Sequence, residues 1–424
     1  MKNKLAWGCI ADDFTGASDA ASFFVKGGMR TILYSGVPKE DARPGDCQAA
    51  VIALKTRTQE TEAAVLETLR AARWLKNQGA GHLYIKYCST FDSTPQGNIG
   101  PILDALLEEY GIPYTILCPA LPVNGRIVRQ GHLFVNGVPL HESPMKDHPL
   151  TPMWDSSIEK LMEPQSKYPC IHVTGEQYAK PKEEILAGID AFGQTHPHFY
   201  VIPDYEREKD ASVIADLFGS LPLLSGGSGV LTELARRECV LQQDGRQGHF
   251  GQCGAKAGLI LAGSCSEMTR KQIRYAQEHG IESMKIRPLD LLSGTQTLKE
   301  LWEFAEQRKG KDVLLYSSDF PDQVMEIQAA GKEKVAKLLE QTMAELAKLA
   351  VEAGFTKIIV AGGETSGAVT RALEFDSYII GKSVAPGVPV MMPENRAGMR
   401  LVLKSGNFGQ EDFFIKALKL TDES

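Results

Sequence analysis

No run of about 18 apolar residues occurs in this 424-residue chain, so no segment reads as a membrane-spanning helix. The 8 cysteines form no CxxC pair. Cys9, Cys88, Cys118 and Cys170 sit in or beside apolar, strand-like runs, where a thiol acts as a small hydrophobe, and a zinc site is not expected of them. His132, His141 and His148 fit neither one helix face nor a compact zinc pattern. Basic charge is in deficit: 46 Lys and Arg face 53 Asp and Glu, a net charge of −7. That argues against a nucleic-acid partner, which needs a basic footprint. There is no GxxxxGK[ST], which excludes a Walker A loop, and no GxGxxG, which counts against a dinucleotide cofactor. The N-terminus, MKNKLAWGC, runs directly into an apolar strand without the layout of a signal peptide, and a cytoplasmic protein is expected.

What remains is an ordinary globular composition, 43% hydrophobic and 23% charged, long enough for two domains. Strand-like and helix-like segments alternate from the start. Leu5–Ile10, Arg30–Ser35, Val51–Leu54, Leu83–Tyr87 and Tyr114–Cys118 read as strands, and Thr61–Asn77 and Ile99–Tyr110 as helices. Such alternation predicts βαβ units and a mostly parallel sheet. The pattern breaks between Pro119 and Pro169, where Asn136-Gly137 between apolar residues predicts a tight hairpin within an insertion over the sheet edge. It resumes at Cys170. The polar, Gly-rich stretch QQDGRQGHFGQCG is the best linker. The expected fold class is therefore α/β, with two domains that are each a mostly parallel sheet flanked by helices. The first spans 1–240, the linker 241–254 and the second 255–424.

The chemistry-bearing residues cluster at the predicted strand ends, where α/β sheets bind ligands. Asp12 and Asp13 lie where the first strand gives way to a helix. Paired carboxylates there suit holding Mg²⁺, accepting a proton from a hydroxyl, or gripping a polyol; Asp13 or Thr15 also suits capping the helix. Arg57 follows the third strand, and Lys86 ends the next, leading into KYCSTFDST. Cations and hydroxyls so placed suit a small carboxylated, hydroxylated substrate, with Arg57 as a bidentate fork and Lys86 as a point charge. In the second domain three loops share one design: Gly263-Ser264-Cys265-Ser266, Gly362-Gly363-Glu364-Thr365-Ser366-Gly367 and Ser405-Gly406-Asn407-Phe408-Gly409. Small residues bring backbone N–H groups close to an anion, and a helix N-terminus adds a favourable dipole. Three such loops point to a phosphate-rich ligand. A domain for an acid polyol and a domain for a nucleotide together imply phosphoryl transfer. The rival readings are an NAD(P)-dependent hydroxy-acid dehydrogenase and a non-catalytic sugar-acid sensor.

In order along the chain, ADDFTGASD, KYCSTFDSTPQGNIGP, GHLFV, HPLTPM, LSGGSG, AGSCS, GGETSG and LKSGNFG resemble the motifs of the four-carbon acid sugar kinases. The long KYCSTFDSTPQGNIGP run is most similar to the 3-oxo-tetronate kinase branch; the D-threonate and D-erythronate kinase branches share the shorter motifs. The resemblance implies an N-terminal sugar-acid-binding domain, a C-terminal nucleotide-binding domain, and ATP-dependent phosphorylation of the C4 hydroxyl with Mg²⁺. By position it carries substrate contacts onto Asp12, Asp13, Arg57, Lys86, Tyr87, Cys88 and Ser89. ATP contacts fall on Ser264, Ser266, Gly362, Gly363, Glu364, Thr365 and Gly406. Asp12 is the candidate base or hydroxyl orienter; no metal ligand is assigned. The implied partners are the acid sugar and ATP, with neither nucleic acid nor membrane, and a homodimer is compatible with the sequence.

Overall fold

The apolar run after Leu5 becomes a strand, β1 (Trp7–Ala11), buried at every position. A strand buried on both faces belongs inside a parallel sheet covered by helices. That is where the computed structural model puts it; the structure describes residues 5–148, 150–242, 257–318 and 331–423. The chain divides into two compact units, Met1–Gln247 and Gly248–Ser424. Both are built on mostly parallel sheets.

In the first unit β1 is followed by β2 (Thr31–Ser35), β3 (Ala49–Ala53) and β4 (His82–Lys86). Helix α1 (Phe14–Lys26) links β1 to β2, α2 (Thr61–Asn77) links β3 to β4, and α3 (Ile99–Glu109) follows β4. The strands lie parallel in the order β4-β1-β3-β2. The chain leaves β1 toward one side of the sheet and returns to β4 on the other. That reversal opens a crevice at the carboxyl edge. Register fixes the edge: Ala11 is opposite Ala53 on β3 and Lys86 on β4, so Asp12, Arg57 and Lys86 emerge at one level. Gly8 lets α2 approach closely, since a Cβ there would lie 2.9 Å from Leu75 Cδ1.

Beyond α3 come β5 (Tyr114–Ile116), the meander β6 (Arg126–Arg129), β7 (His132–Val135) and β8 (Val138–Pro139), then β9 (Cys170–Val173), β10 (Phe199–Pro203) and β11 (Leu223–Gly226). Strands β5, β10 and β9 form a small parallel sheet, and β11 adds to the free side of β4 with Gly226 opposite Lys86. The predicted hairpin is present between β7 and β8, with Asn136 and Gly137 both at positive φ (51° and 82°), as its tight turn requires. The predicted linker begins inside helix Leu231–Gln242, and the rest of it lies outside the described residues.

The second unit contains β12 (Gly258–Ala262), β13 (Glu282–Lys285), β14 (Val313–Tyr316), β15 (Lys357–Ala361), β16 (Ser377–Ala385), β17 (Val388–Pro393) and β18 (Arg400–Lys404). Strands β18, β15, β12, β14 and β13 run parallel in that order; β16 and β17 form an antiparallel edge beside β18. The chain leaves β12 for β14 and β13 on one side, then crosses to β15 and β18 on the other, again creating a switch point. The core beneath is aliphatic, with Ile260, Leu314, Ile359 and Val402 fully buried.

Candidate active site

In the first unit Asp12, Arg57, Lys86, Asp92, Ser93 and Asn98 line one cleft at the carboxyl edge of the sheet. Arg57 grips Asp12 with both arms: Nε donates to Oδ2 at 2.8 Å and Nη2 to Oδ1 at 3.0 Å. Nη2 also lies 2.9 Å from Asp13 Oδ2, and Nη1 lies 3.8 Å from Asp92 Oδ2. The fork expected to hold a substrate carboxylate thus fixes three protein carboxylates in this structure. A carboxylate offers about four lone-pair positions, so Asp12 keeps acceptor capacity for an incoming hydroxyl. Burial raises the Asp12 pKa above the ordinary carboxylate value, and Arg57 opposes the rise. Asp13 is also the N-cap of α1, its carboxylate accepting from Gly16 N. Gly16 is required there, because a Cβ would lie 2.7 Å from Asp13 Oδ1.

Lys86 is 3% exposed, and its ammonium sits 3.6 Å from Asp19 Oδ2 and donates to the Tyr87 carbonyl at 2.9 Å. Asp19 also accepts from Ser228 Oγ at 2.6 Å. Burial works against the charged form of both partners, and their attraction opposes it. Breaking such a buried pair leaves an uncompensated ion. Asp19→Ala is therefore expected to destabilise the first unit by about 3–5 kcal/mol, measured as a fall in urea midpoint at constant slope. An unchanged midpoint would show that Lys86 is held by other means.

The turn after Lys86 carries the remaining predicted residues. Tyr87 is fully buried and meets Phe91 edge-on at 5.7 Å. Cys88 Sγ lies 3.0 Å from Thr90 Oγ1, which donates to Asp92 Oδ1 at 2.7 Å. Burial pushes the Cys88 thiol up to about 12, so it is a weak donor here and not a thiolate nucleophile. Ser89 is half-buried. Phe91 and Asp92 both hold positive φ, 66° and 49°. Neighbours pin this unusual turn: Ser93 Oγ donates to Gln165 Oε1 at 2.6 Å, and Asn98 Nδ2 donates to the Thr56 carbonyl at 2.7 Å. Asn98 thereby ties the start of α3 to the segment that carries Arg57.

In the second unit the three glycine-rich loops follow β12, β15 and β18, which are adjacent in the sheet. Ser266 caps the helix Glu267–Glu278, accepting from Thr269 N at 3.2 Å, and Ser264 Oγ accepts from Ser266 N at 3.2 Å. Gly362 has φ 131° and opens the helix Gly363–Leu373. A Cβ on Gly406 would lie 2.6 Å from Ser264 Oγ. A Cβ on Gly263 would collide with Thr365 Oγ1. Gly363 and Glu364 are exposed at the helix start, and nothing stands within 4 Å of where a Gly363 Cβ would project. The structure thus brings Ser264, Ser266, Gly362, Gly363, Glu364, Thr365 and Gly406 to one edge, with two helix N-termini aimed there. Such an edge suits phosphates.

The profile of a family described as "Sugar-binding N-terminal domain" matches residues 7–234, and "Nucleotide-binding C-terminal domain" matches 259–414. A Burkholderia multivorans protein named 3-oxo-tetronate kinase is 41% identical over 98% of this chain and 97% of its own length. Its namesake from Pseudomonas savastanoi pv. phaseolicola is 39% identical over 97% and 96%. The chain belongs to the four-carbon acid sugar kinase family. Solved structures carry the same fold. One from Haemophilus influenzae is 38% identical with a TM-score of 0.83, covering 98% of this chain and all (100%) of that one. Another, from Salmonella typhimurium LT2 and provisionally described as a tRNA synthase, is 37% identical with a TM-score of 0.90, covering 97% and 98%.

Membership in this kinase family implies ATP as the phosphoryl donor and a small molecule as acceptor. Among the described residues no group of three or more His, Cys, Asp and Glu could hold a metal ion, and no helix is long and apolar enough to cross a membrane. Three residues were not singled out from the sequence: Asn98, which lines the cleft, and Asp19 and Ser228, which back Lys86. Asp19 had a signal: an acid within the apolar stripe of α1, between Ala17, Ala20 and Ala21, has to find a buried cation.

Proposed function

We propose that this chain is an ATP-dependent 3-oxo-tetronate kinase that phosphorylates the C4 hydroxyl. The observation that carries the reading is near-full-length identity, across both domains, to proteins bearing that name. The cleft chemistry supports it. The acceptor hydroxyl donates to Asp12, whose carboxylate Arg57 holds in one orientation. As the new O–P bond forms, the hydroxyl proton passes to Asp12, and the bond from the γ-phosphorus to the β,γ-bridging oxygen breaks to release ADP. Burial makes Asp12 a better proton acceptor than an exposed aspartate. Lys86 and Arg57 offset the charge of the surrounding carboxylates, and the half-buried Ser89 hydroxyl in the 88–93 turn offers a donor to the substrate. The glycine-rich edge of the second unit cradles the phosphates, and catalysis of this kind is chiefly positioning and charge neutralisation. Mg²⁺ commonly binds through substrate phosphates with one or two carboxylates. Such an ion would neutralise charge on the transferring group; Asp13 and Asp92 are engaged by Arg57 and are not assigned to it. A cytoplasmic location, where ATP is abundant, agrees with this reading.

A coupled ADP-release assay with Mg-ATP tests it against D-threonate, L-threonate, D-erythronate and 3-oxo acids generated in place by a dehydrogenase. Turnover is expected with a 3-oxo acid, with ³¹P NMR locating the phosphate on C4. A site that hydrogen-bonds the group at C3 discriminates strongly between ketone and hydroxyl. Turnover with a plain tetronate alone would move the specificity to a D-threonate or D-erythronate kinase. No ADP release with any acid would overturn the kinase reading.

A further inference from the structure

Lys404 ends β18, directly beneath the nucleotide-binding edge of the second unit, and is 1% exposed. Its Nζ lies within hydrogen-bond reach of three oxygens of the loops: Gly406 O at 2.7 Å, Thr269 Oγ1 at 3.0 Å and Ser405 O at 3.2 Å. Thr269 Oγ1 in turn donates to Gly406 O at 2.9 Å and accepts from Ser266 Oγ at 3.0 Å. One cation therefore ties the turn after β18 to the N-terminus of the helix after β12. The ring of Phe413 lies 5.7 Å away on a further side.

The charged groups on the surrounding elements are paired elsewhere or exposed, Glu364 among the exposed ones. Glu267 and Glu411 face Lys271 at 3.2 and 3.9 Å. Arg270 donates to the Cys265 carbonyl at 2.7 Å, and Lys357, at the opposite end of β15, pairs with Asp422 at 2.5 Å. Asp412 and Lys416 are exposed. No carboxylate of the described residues pairs with Lys404. A buried ammonium whose neighbours are all neutral dipoles lacks its counter-ion, and the bound phosphates are the anions the site is built to admit.

We propose that Lys404 is a positioning residue of the nucleotide site, fixing the 405–406 turn against the helix at 267 and taking its counter-charge from the nucleotide, so that nucleotide binding takes up a proton from solvent. This rests on the kinase reading of the second unit. Burial lowers the Lys404 pKa to about 7, so in the free protein at about pH 8 the amine is mostly neutral. Phosphates nearby favour its charged form and raise that value. At the same pH the terminal phosphate, with a second pKa of about 6, is already ionised and takes up little.

The test is calorimetric titration of the full-length protein with ATP in two buffers of different ionisation enthalpy. At about pH 8 wild type is expected to take up a large fraction of one proton per nucleotide, falling toward zero below about pH 6, where the lysine is already charged. Lys404→Arg should bind ATP with no uptake, because guanidinium does not titrate there. Lys404→Met should lose the uptake and bind about tenfold or more weakly. ATP binding without proton uptake in wild type, or uptake that persists in Lys404→Met, would overturn the inference and leave the kinase reading intact. Absence of ATP binding in wild type would overturn both. The wild-type pH profile stands as a test even if the methionine variant does not fold.

Discussion

Asp12→Asn is expected to lower kcat by about 10²–10⁴-fold, the usual worth of a positioned proton acceptor, with little change in ATP affinity. The amide is nearly isosteric with the carboxylate but cannot take the hydroxyl proton. It also turns an NH₂ toward one arm of Arg57, so one of the two bonds at 2.8 and 3.0 Å becomes a donor–donor contact. Steady-state kinetics in both substrates, with ATP binding measured separately, would check it; full activity would remove Asp12 from the chemistry. The wild-type pH profile carries the same information. Burial raises the folded-state pKa of Asp12, so kcat/KM should fall on the acid side through a value above that of an ordinary carboxylate. The sign for stability is opposite. A carboxyl group that holds its proton more tightly folded than unfolded penalises the fold above its folded pKa, and the penalty is relieved as pH falls through that pKa. The Asp12 titration therefore removes activity without itself promoting unfolding, and circular dichroism should stay native across the acid limb.

Gly363→Val is expected to weaken ATP binding by about 10–10²-fold and to leave folding almost unchanged. A Cβ at this position meets nothing within 4 Å, and the residue is the first of its helix, so the protein has room for the side chain. Valine costs less than about 1 kcal/mol in a helix relative to alanine. The open space is where the phosphates would approach the helix N-terminus. Filling it displaces them from the backbone N–H groups, at about 1.5–3 kcal/mol for a hydrogen bond to a charged group. An ATP affinity within twofold of wild type would place the phosphates elsewhere. Adjacent Gly362 would be a poorer probe. Its φ of 131° and its approach to Ser264 N make any side chain a folding defect as well.

The parallel cores were legible because they are written in uninterrupted apolar runs. LAWGCI and VIAL read as buried strands, and their carboxyl ends point to Asp12 and Arg57. What escaped was written in other terms. β13 is ESMK, an edge strand with no apolar run. β16 and β17 carry Gly381, Lys382 and Pro389, which read as breakers, yet they pair antiparallel with register shifts that absorb the irregularities. β11, LLSG, is short and ends in a glycine at φ 153°. The partners of the site residues were illegible for a different reason. Asp19 with Ser228, and Ser93 with Gln165, are 209 and 72 residues apart, and no local pattern signals such pairs. The occupation of Arg57 by Asp12 is likewise a fact of register between β1 and β3.

Each unit has its own switch point, and each switch point is furnished from a handful of short connections. Inheritance can therefore edit the two halves of the reaction on separate schedules. Changing the turn at 88–93 is expected to alter what the first unit accepts, and it touches no strand of the second unit. A lineage that meets a new four-carbon acid need not reinvent its way of holding ATP. It has only to vary a few residues at the carboxyl ends of one sheet.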